Sequence, residues 1–366
     1  MILLQKTKAI KKHVDFIIVG AGMAGSILAL QLMNRGKRVL VFDVPSDNRC
    51  SMVAAGLCNP VTGKGLTKTW LADLLFPYLH QFYQQTSHQL KSPFFFPTRL
   101  YRPFLTVEEQ NEWMGVSSDD RLLKFIEHVY TTSQFNSQVH DPLGGLLVRE
   151  AAYVQTPVFL SSVRAYLLQQ DSFEEKMIAD QDIQMESDRV VVSGFTADHL
   201  IFCNGIAARN TSWFNWVPLQ ALKGETLTVT SKEDPQVVYN RSVYLVPSMG
   251  GMFRVGATYN WKDVTPGITA TAREELEQSL RQLVTFECQV QRQDWGIRPT
   301  IADRKPILGP HPFWQRLWFF NGLGTKGVSL SPYFAAQLAE VLCGTGEIHP
   351  QVNINRFYPL YSKSQS

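Results

Sequence analysis

The sequence has few cysteines, and their spacing builds neither of the usual cysteine frameworks. The five cysteines are an odd number, and no two of them form a CxxC pair. Disulfide scaffolds and structural zinc sites both need paired, closely spaced cysteines. We therefore expect no metal site and no disulfide framework, and thiols of this kind suit a reducing cytoplasm.

Long apolar runs are missing as well. A membrane-spanning helix needs about 18 or more consecutive apolar residues, and no segment of the chain approaches that length. Residues 1–13 carry four lysines but no apolar stretch as long as that of a signal peptide. The sequence therefore predicts a cytoplasmic protein without a membrane span.

Charge is scarce too. Acidic and basic residues make up 18% of the chain and leave a net charge of +3, which is too mild to predict a nucleic-acid partner and too basic to exclude one. Hydrophobic residues, by contrast, reach 45% over 366 residues. That is enough for a sizeable core and about two domains.

The most informative stretch is residues 14–43. It reads as an apolar strand (16–19), a glycine turn, an apolar-faced helix (26–35) and a second apolar strand (39–42) followed by Asp43. Strand, glycine turn, helix, strand and acid in this order form the dinucleotide-binding unit. The turn itself is Gly20-Ala21-Gly22-Met23-Ala24-Gly25.

Each residue type in this unit has a chemical purpose. Gly20 allows the tight turn, Gly22 lets the backbone approach a diphosphate, and Gly25 lets helix and strand pack closely. Amide N–H groups at the helix start attract phosphate. Asp43 would accept hydrogen bonds from a ribose and repel the 2′-phosphate of NADP. The motif predicts a dinucleotide but leaves FAD and NAD open.

Two later segments indicate further contacts with a ligand. The loop at 49–69 is unusually apolar at its centre, which favours a lining role over a plain surface loop. Residues 317–344 read as strand, glycine loop and helix, with Gly322, Gly324 and Gly327 in a second GxGxxG spacing. No strand and ribose-binding acid follow it. We interpret this loop as a second helix N-terminus rather than a second nucleotide site.

Between these segments the pattern changes to shorter elements. Residues 92–150 hold short helical and strand-like pieces, and residues 219–262 alternate as strands of one antiparallel sheet. A helix is predicted at 271–284, opened by a capping box of Thr271 and Glu274. These segments predict a second, inserted domain.

Five ordered pieces of the chain resemble the D-amino-acid oxidase (DAO) family of FAD-dependent oxidoreductases, in particular its glycine oxidase-like members. They also resemble the C-terminal FAD domain of the bifunctional enzyme that modifies the tRNA wobble uridine. The pieces are GAGMAG, AAGLCNP, IFCNG, VYLVPSMGGMFRVGATY, and WGIRPTIADRKPILG with NGLGTKGVSLSP.

The resemblance implies an α/β fold, α+β overall, in which a Rossmann-like FAD-binding domain carries an inserted substrate domain with a mixed or antiparallel sheet. The FAD-binding domain would be discontinuous and comprise 1–75, 145–215 and 295–366. The substrate domain would comprise 76–144 and 216–294, and its sheet would cover the flavin.

The resemblance also assigns residues to FAD. Gly296 stands where a related branch carries the cysteine that tethers FAD, so FAD is expected to be non-covalent. The backbone of 324–328 would run past the N1–C2=O edge of the flavin, where a helix N-terminus stabilises negative charge. The cofactor-binding residues implied are Gly20, Gly22, Met23, Ala24, Gly25, Asp43, Ser51, Ala54, Ala55, Gly56, Leu57, Asp182, Asn204, Gly205, Arg298, Gly324, Thr325, Lys326, Gly327 and Val328.

On the substrate side the resemblance implies four catalytic candidates. Arg298 suits a carboxylate because a guanidinium binds it bidentately, and its structural alternative is a pair with Asp303. Lys326 would stabilise reduced flavin or a substrate carboxylate, or else be a solvated surface lysine. Tyr244 and Tyr259 belong to the covering sheet and its following strand, where they either face the site or only pack.

The reaction implied removes a hydride from a carbon that bears an amine. The resulting imine hydrolyses to a carbonyl compound and an amine or ammonia, and molecular oxygen reoxidises the flavin to give hydrogen peroxide. The substrate would be an amino acid or a secondary amine. Thr325 stands where glycine oxidase-like relatives place a carboxylate-anchoring arginine, which argues against a simple glycine-like substrate.

Three alternatives remain open at this point. The first is an enzyme that oxidises the carboxymethylaminomethyl group of a tRNA wobble uridine, which would need a basic stripe such as Lys64, Lys68, Arg99 and Arg102. The second is an FAD dehydrogenase that uses an acceptor other than oxygen. The third is a non-catalytic flavin-binding protein. Lys223 would face either the flavin or solvent.

Overall fold

The structure, a computed structural model, describes residues 12–46, 48–62, 67–116 and 120–364. The strands, in chain order, are β1 (His13–Val19), β2 (Val39–Asp43), β3 (Leu57–Cys58), β4 (Val61–Thr62), β5 (Thr67–Lys68), β6 (Phe95–Pro103), β7 (Ile126–Tyr130), β8 (Gly145–Val154), β9 (Phe173–Glu175), β10 (Ile183–Met185), β11 (Val190–Val192), β12 (Phe195–Phe202), β13 (Gln220–Thr230), β14 (Val238–Asn240), β15 (Tyr244–Pro247), β16 (Met252–Gly256), β17 (Gln289–Thr300), β18 (Ile307–Pro310) and β19 (Leu317–Asn321). The helices are α1 (Met23–Met33), α2 (Cys50–Val53), α3 (Ala72–Gln89), α4 (Val107–Val116), α5 (Asp120–Leu123), α6 (Thr156–Gln169), α7 (Ala270–Leu283), α8 (Gly327–Leu342) and α9 (Tyr358–Ser364).

The described residues form two compact units. The first unit comprises 12–46, 160–221 and 298–364. The second unit comprises 48–62, 67–116, 120–159 and 222–297. Residues 48–62, 67–75 and 145–159, which the family resemblance assigns to the FAD-binding domain, therefore fold with the second unit. Which segments make up the FAD-binding domain stays a prediction, because a residue can contact a cofactor from either unit.

The first unit is built on an eight-stranded mixed sheet, whose parallel strands reverse their order at β1. Strands β9, β2, β1, β12 and β19 lie side by side in that order and run parallel. The chain passes outward from β1 to one side through β2 and β9, and to the other side through β12 and β19. In such sheets a ligand binds beyond the carboxyl ends of the strands, at the point of reversal.

Helices α1 and α8 pack against each other beside this sheet. Helix α1 is buried almost all round, with Ile27, Leu28 and Leu30 fully inaccessible. A helix that is apolar on every face belongs in a core. Both helices follow a parallel strand, so both begin at the edge where the carboxyl ends of the strands lie.

The second unit is built on a larger, mixed sheet. Its strands follow the order β17, β13, β16, β15, β14, β6, β8, β3, and β7 also pairs with β8. Most neighbours are antiparallel, but β14 runs parallel to β6. One face of the sheet packs its apolar residues, such as Leu227 and Leu245, against Leu276 and Leu280 of α7. The antiparallel sheet predicted for 219–262 is thus one part of a mixed sheet.

The predicted capping box of helix α7 is wrong, because the N-cap lies two residues before Thr271. Its N-cap is Thr269, whose Oγ1 accepts a hydrogen bond from the backbone N–H of Ala272 at 3.3 Å. The backbone N–H and the hydroxyl of Thr269 both donate to the carboxylate of Glu225, at 2.8 and 2.9 Å. These contacts hold Thr269 in an extended conformation, so Thr271 lies inside the first turn.

No helix in the described ranges combines the length and the apolar character that crossing a lipid bilayer requires.

Candidate cofactor and substrate sites

The turn after β1 has no room for side chains. Gly20 has a φ of +101°, and a Cβ there would lie 2.6 Å from the carbonyl oxygen of Cys203. A Cβ on Gly25 would lie only 1.8 Å from the carbonyl oxygen of Gly20. Gly22 is the N-cap of α1 and has no side chain with which to cap the helix. The turn therefore presents backbone at the positive end of the helix dipole.

The carboxyl ends of four parallel strands meet at one edge of the first unit's sheet. The register pairs Val19 with both Phe42 and Phe202, and Phe202 with Phe319. The residues at or just beyond these strand ends therefore lie along the same edge. Four of them are glycine or polar residues: Gly20, Asp43, Asn204 and Gly322. The first three of them are predicted cofactor residues, and the fold brings them together.

Asn321, at the end of β19, joins two of these strand ends. Its side-chain amide donates to the carbonyl oxygen of Gly205 at 2.8 Å, and its Oδ1 accepts from the backbone N–H of Gly322 at 2.9 Å. The adjacent Asn204 has a buried carboxamide oxygen that finds no hydrogen-bond partner within the described part of the chain. A buried polar atom without a partner is costly, so this atom is suited to meet a polar ligand.

The loop before α8 presents positive charge and a helix N-terminus together. Gly322 and Gly324 have φ values of +72° and +56°, which turn the chain sharply into the helix. Lys326 is the N-cap of α8. Burial lowers the pKa of its ammonium below the ordinary value, and the nearby charge of Arg304 lowers it further. The ammonium of Lys326 is repelled by another cation and by the positive end of a helix. An anion bound beside Lys326 is therefore favoured.

In the second unit the chain between α2 and β3 is held against β8. Gly56 has a φ of +73°, and a Cβ there would lie 1.8 Å from the carbonyl oxygen of Val154. The backbone N–H of Val154 donates to the carbonyl of Gly56 at 3.0 Å. The hydroxyl of Thr156 donates to the carbonyl of Ala54 at 3.0 Å. The predicted cofactor residues Ser51, Ala54, Ala55, Gly56 and Leu57 thus belong to one segment that is held in place.

The face of the second unit's sheet that is turned away from α7 is polar. The register sets Tyr244 and Thr226 opposite Gly256, and it sets Thr228 opposite Arg254. A Cβ on Gly256 would lie 2.8 Å from the hydroxyl oxygen of Tyr244, so only glycine leaves room for this tyrosine. The hydroxyls of Thr226 and Thr228 are buried and have no partner among the described residues. A tyrosine and two hydroxyls on one face make this face a candidate for binding polar groups.

Comparison with protein families is decisive. The model of the DAO family, described as FAD dependent oxidoreductase, matches residues 15–341. The chain belongs to the DAO family. It is accordingly an FAD-dependent oxidoreductase, and both the predicted family and the predicted cofactor are confirmed.

Individual members of the DAO family are similar to this chain at low identity. Glycine oxidase of Bacillus licheniformis is 22% identical over 353 residues, covering 91% of this chain and 94% of its own. The tRNA 5-methylaminomethyl-2-thiouridine biosynthesis bifunctional protein of Legionella pneumophila is 21% identical over 324 residues. The match covers 81% of this chain but only 45% of that protein.

Solved structures confirm the fold. The crystal structure of iminodiacetate oxidase from Chelativorans sp. BNC1 superposes with a TM-score of 0.77, and the alignment covers 92% of this chain and 98% of that one. The sequence identity is 18%, so this likeness establishes the α/β fold and not the substrate.

The first unit has the features that the cofactor of the DAO family requires. A diphosphate needs backbone N–H groups at a helix start that no side chain covers, and the Gly20–Gly25 turn has no space for side chains at either glycine. Asp43 ends the strand beside this turn, where a carboxylate can accept ribose hydroxyls. The unpartnered oxygen of Asn204 adds a polar contact at the same edge.

Asp182 does not lie at this edge. It closes a 3₁₀ turn before β10, and the register aligns that turn with the start of β12, at the opposite end of that strand from Asn204. Its backbone N–H and C=O are bonded to Ala179 and Ser193. Contact of Asp182 with the adenine stays a prediction. At the carboxyl edge itself, Glu175 of β9 pairs with Asp43.

Two residues of the second unit differ from their predicted settings. Tyr259 lies in the loop after β16 rather than in a strand, and 62% of its surface is exposed. Its catalytic role stays a prediction. Lys223 does not face solvent: it is 3% exposed, with its ammonium 3.5 Å from the carboxylate of Glu225. A buried lysine needs such a partner because an isolated charge is costly to desolvate.

The predicted basic stripe is largely neutralised. Lys68 contacts Asp73 at 2.6 Å, Arg99 contacts Glu127 at 3.4 Å and Arg102 contacts Glu109 at 3.7 Å. Lys64 lies outside the described residues. Paired cations attract a phosphate backbone weakly, so the pairing of these three residues does not favour the tRNA alternative, which stays a prediction.

Sequence reasoning missed Asn321 and Arg254. Asn321 directly follows an apolar strand, which is a signal that could have marked it, because polar groups at strand ends meet at the ligand edge. Arg254 is 6% exposed in the middle of β16. A buried arginine must have a partner. The position of Arg254 inside an apolar strand was a second signal that the sequence contained.

Proposed function

We propose that this enzyme oxidises the carbon–nitrogen bond of an amine or amino acid that also carries an anionic group. FAD supplies the electron-accepting chemistry when it is bound. The substrate loses a hydride and a proton to become an imine, and water hydrolyses the imine to a carbonyl compound and an amine or ammonia. Molecular oxygen is the proposed final acceptor, which yields hydrogen peroxide.

The observation that carries this proposal is the positive end of α8. Lys326 lies at the helix N-terminus, and the charge of Arg304 acts on its ammonium. This arrangement favours negative charge. It would stabilise either the negative charge that develops on the cofactor while the substrate is oxidised or a carboxylate of the substrate. The names of two similar proteins, glycine oxidase and iminodiacetate oxidase, agree with a substrate that carries both an amine and a carboxylate.

The first unit's residues have separate roles in holding the cofactor. The backbone of Gly20, Gly22 and Gly25, with Met23 and Ala24 between them, binds the diphosphate. Asp43 accepts the ribose hydroxyls, and Asn204 and Gly205 line the neighbouring strand end. The backbone of 324–328 faces the flavin, which is held without a covalent bond.

Two side chains are assigned to substrate binding. Arg298 binds the substrate carboxylate. Asp303, its alternative structural partner, has an ion pair with Arg356 at 3.3 Å. Tyr244 donates its hydroxyl to the substrate from the polar face of the second unit's sheet. Ser51 to Leu57 line the cofactor. A neutral amine needs no general base, in keeping with the lack of a histidine–aspartate pair among these residues.

A substrate panel tests the proposal. The purified enzyme with FAD is mixed with glycine, N-methylglycine, iminodiacetate, several D-amino acids and matched amines that lack a carboxylate, and hydrogen peroxide is measured. We expect peroxide from amines that carry a carboxylate and little from the matched amines. If the enzyme turns over with an artificial electron acceptor but forms no peroxide, the final acceptor is a molecule other than oxygen. No turnover with any amine would refute the proposed function.

A further inference from the structure

Arg254 is a buried cation that ties two distant parts of the second unit together. Its Nη1 donates to the carbonyl oxygen of Val53 at 2.9 Å and lies 3.7 Å from Oδ2 of Asp294. Burial lowers the pKa of the guanidinium below its ordinary value, although the charge of Asp294 opposes this. A desolvated arginine is retained only where its partners compensate the cost.

The carbonyl that Arg254 binds ends helix α2. Val53 is the last residue of that helix, and the last carbonyls of a helix have no partner within it. A cation is the favoured partner at this end. The next residues, Ala54 to Leu57, are those that we propose to line the cofactor.

Other contacts that hold this segment come from β8 and the start of α6. Thr156 binds the carbonyl of Ala54, and Val154 binds the carbonyl of Gly56. At the start of α2, Gly296 allows close approach, because a Cβ there would lie 2.9 Å from Cα of Cys50. Arg254 adds the contact from the strand that pairs directly with Tyr244's strand.

We propose that Arg254 is the positioning residue that fixes the cofactor-lining segment, Ser51 to Leu57, against the polar sheet face that carries Tyr244. The guanidinium holds the carbonyl of Val53 while Asp294 compensates its charge. Loss of the guanidinium leaves the carbonyl of Val53 without this partner and leaves Asp294 with Arg292 alone, so the segment moves relative to the sheet. This inference rests on the proposed role of the segment in binding FAD.

The experiment compares Arg254→Met and Arg254→Lys with a control in the full-length enzyme. The control is Arg292→Gln, because Arg292 also contacts Asp294, at 3.1 Å, but is largely exposed and does not touch Val53. The dissociation constant of FAD and the visible circular dichroism of the bound flavin are measured for each. A charged hydrogen bond of this kind corresponds to about tenfold in binding.

We expect Arg254→Met to raise the dissociation constant of FAD about tenfold and to change the flavin's circular dichroism. Arg254→Lys keeps the positive charge and one donor nitrogen, so its FAD affinity and its flavin circular dichroism should lie between those of Arg254→Met and the wild type. Arg292→Gln should match the wild type in both. Unchanged FAD affinity and an unchanged flavin spectrum in Arg254→Met would overturn the inference. If that variant does not fold, Arg254→Lys decides, and wild-type values in it would overturn the inference equally.

These readouts separate the inference from the proposed function. A wild-type enzyme that binds FAD but oxidises no amine would refute the function, and the role of Arg254 would still be measured through FAD binding. A wild-type enzyme that oxidises amines while Arg254→Met binds FAD normally would refute only the inference.

Discussion

The side-chain amide of Asn321 donates to the carbonyl oxygen of Gly205 at 2.8 Å, and this bond joins the ends of two neighbouring parallel strands. The other end of the same carboxamide accepts the backbone N–H of Gly322. One buried side chain therefore sets the spacing between the Asn204–Gly205 turn and the glycine loop before α8.

Replacing Asn321 by alanine should cost about 2 kcal/mol of unfolding free energy, because a buried carbonyl and a buried N–H lose their partner. Urea unfolding of the protein without added FAD measures this. Asn215→Ala, at an exposed position, is the control and should stay within about 0.5 kcal/mol of the wild type. Equal stability of the two variants would show that Asn321 does not join the strand ends in solution.

Replacing Gly25 by alanine should abolish FAD binding. The added Cβ would lie 1.8 Å from the carbonyl oxygen of Gly20, and only a shift of the turn removes that overlap. The matched control is Gly115→Ala in helix α4, where a Cβ meets nothing within 4 Å and alanine is favoured by about 1 kcal/mol. Absorbance of bound flavin after desalting measures the effect, and retention of FAD by Gly25→Ala would contradict the assignment of this turn.

Replacing Lys326 by methionine removes a cation from the start of α8. We expect kcat/KM to fall about 100-fold, as for the loss of one charge-stabilising donor. A more negative flavin midpoint potential would assign Lys326 to the cofactor, whereas a raised KM at unchanged potential would assign it to the substrate carboxylate. Lys232→Met, at an exposed turn, is the control. Wild-type kinetics and potential in Lys326→Met would make it a structural residue.

His311 should make the folded protein sensitive to mild acid. It is 2% exposed, its Nδ1 accepts the backbone N–H groups of Phe313 and Trp314, and it packs against Trp216 and Tyr361. Burial lowers the pKa of its imidazole to about 4. The unfolded chain, with an ordinary pKa of about 6.5, binds the proton more readily. Stability is therefore complete above pH ~6.5 and falls as the pH drops towards ~4, by about 3 kcal/mol.

Asparagine at position 311 tests this pH dependence. Its Oδ1 can accept the same backbone N–H groups, but it does not titrate. Unfolding free energies of the wild type and His311→Asn are compared between pH 7.5 and pH 4.5. The difference between the two proteins should change in favour of the variant as the pH falls. A constant difference across this range would show that His311 does not carry the acid sensitivity.

Much of the first unit was predictable because its signals are local. The strand, turn and helix at 14–43 are specified by residues that are neighbours in sequence, and the structure has β1, α1 and β2 there. The strand, glycine loop and helix at 317–344 follow for the same reason. The other partner strand of β1, β12, lies far away in sequence, and no local signal sets the register between these two strands.

The second unit was less predictable because its contacts are long-range. The choice of Thr269 over Thr271 as the N-cap depends on Glu225, which lies more than 40 residues earlier in the chain. The parallel pairing of β14 with β6 likewise joins Val238 to Leu100. The pairing of Lys223 with Glu225, by contrast, could have been predicted, because residues two apart on a strand share a face.

The measurement that tests the account most directly is anaerobic mixing of the purified, FAD-loaded enzyme with a carboxylate-bearing amine while the flavin's visible absorption is recorded. The account predicts that the absorption is lost on mixing and returns when oxygen is admitted, with one hydrogen peroxide formed per imine released. A purified protein that binds FAD but whose absorption no amine or amino acid changes would contradict it.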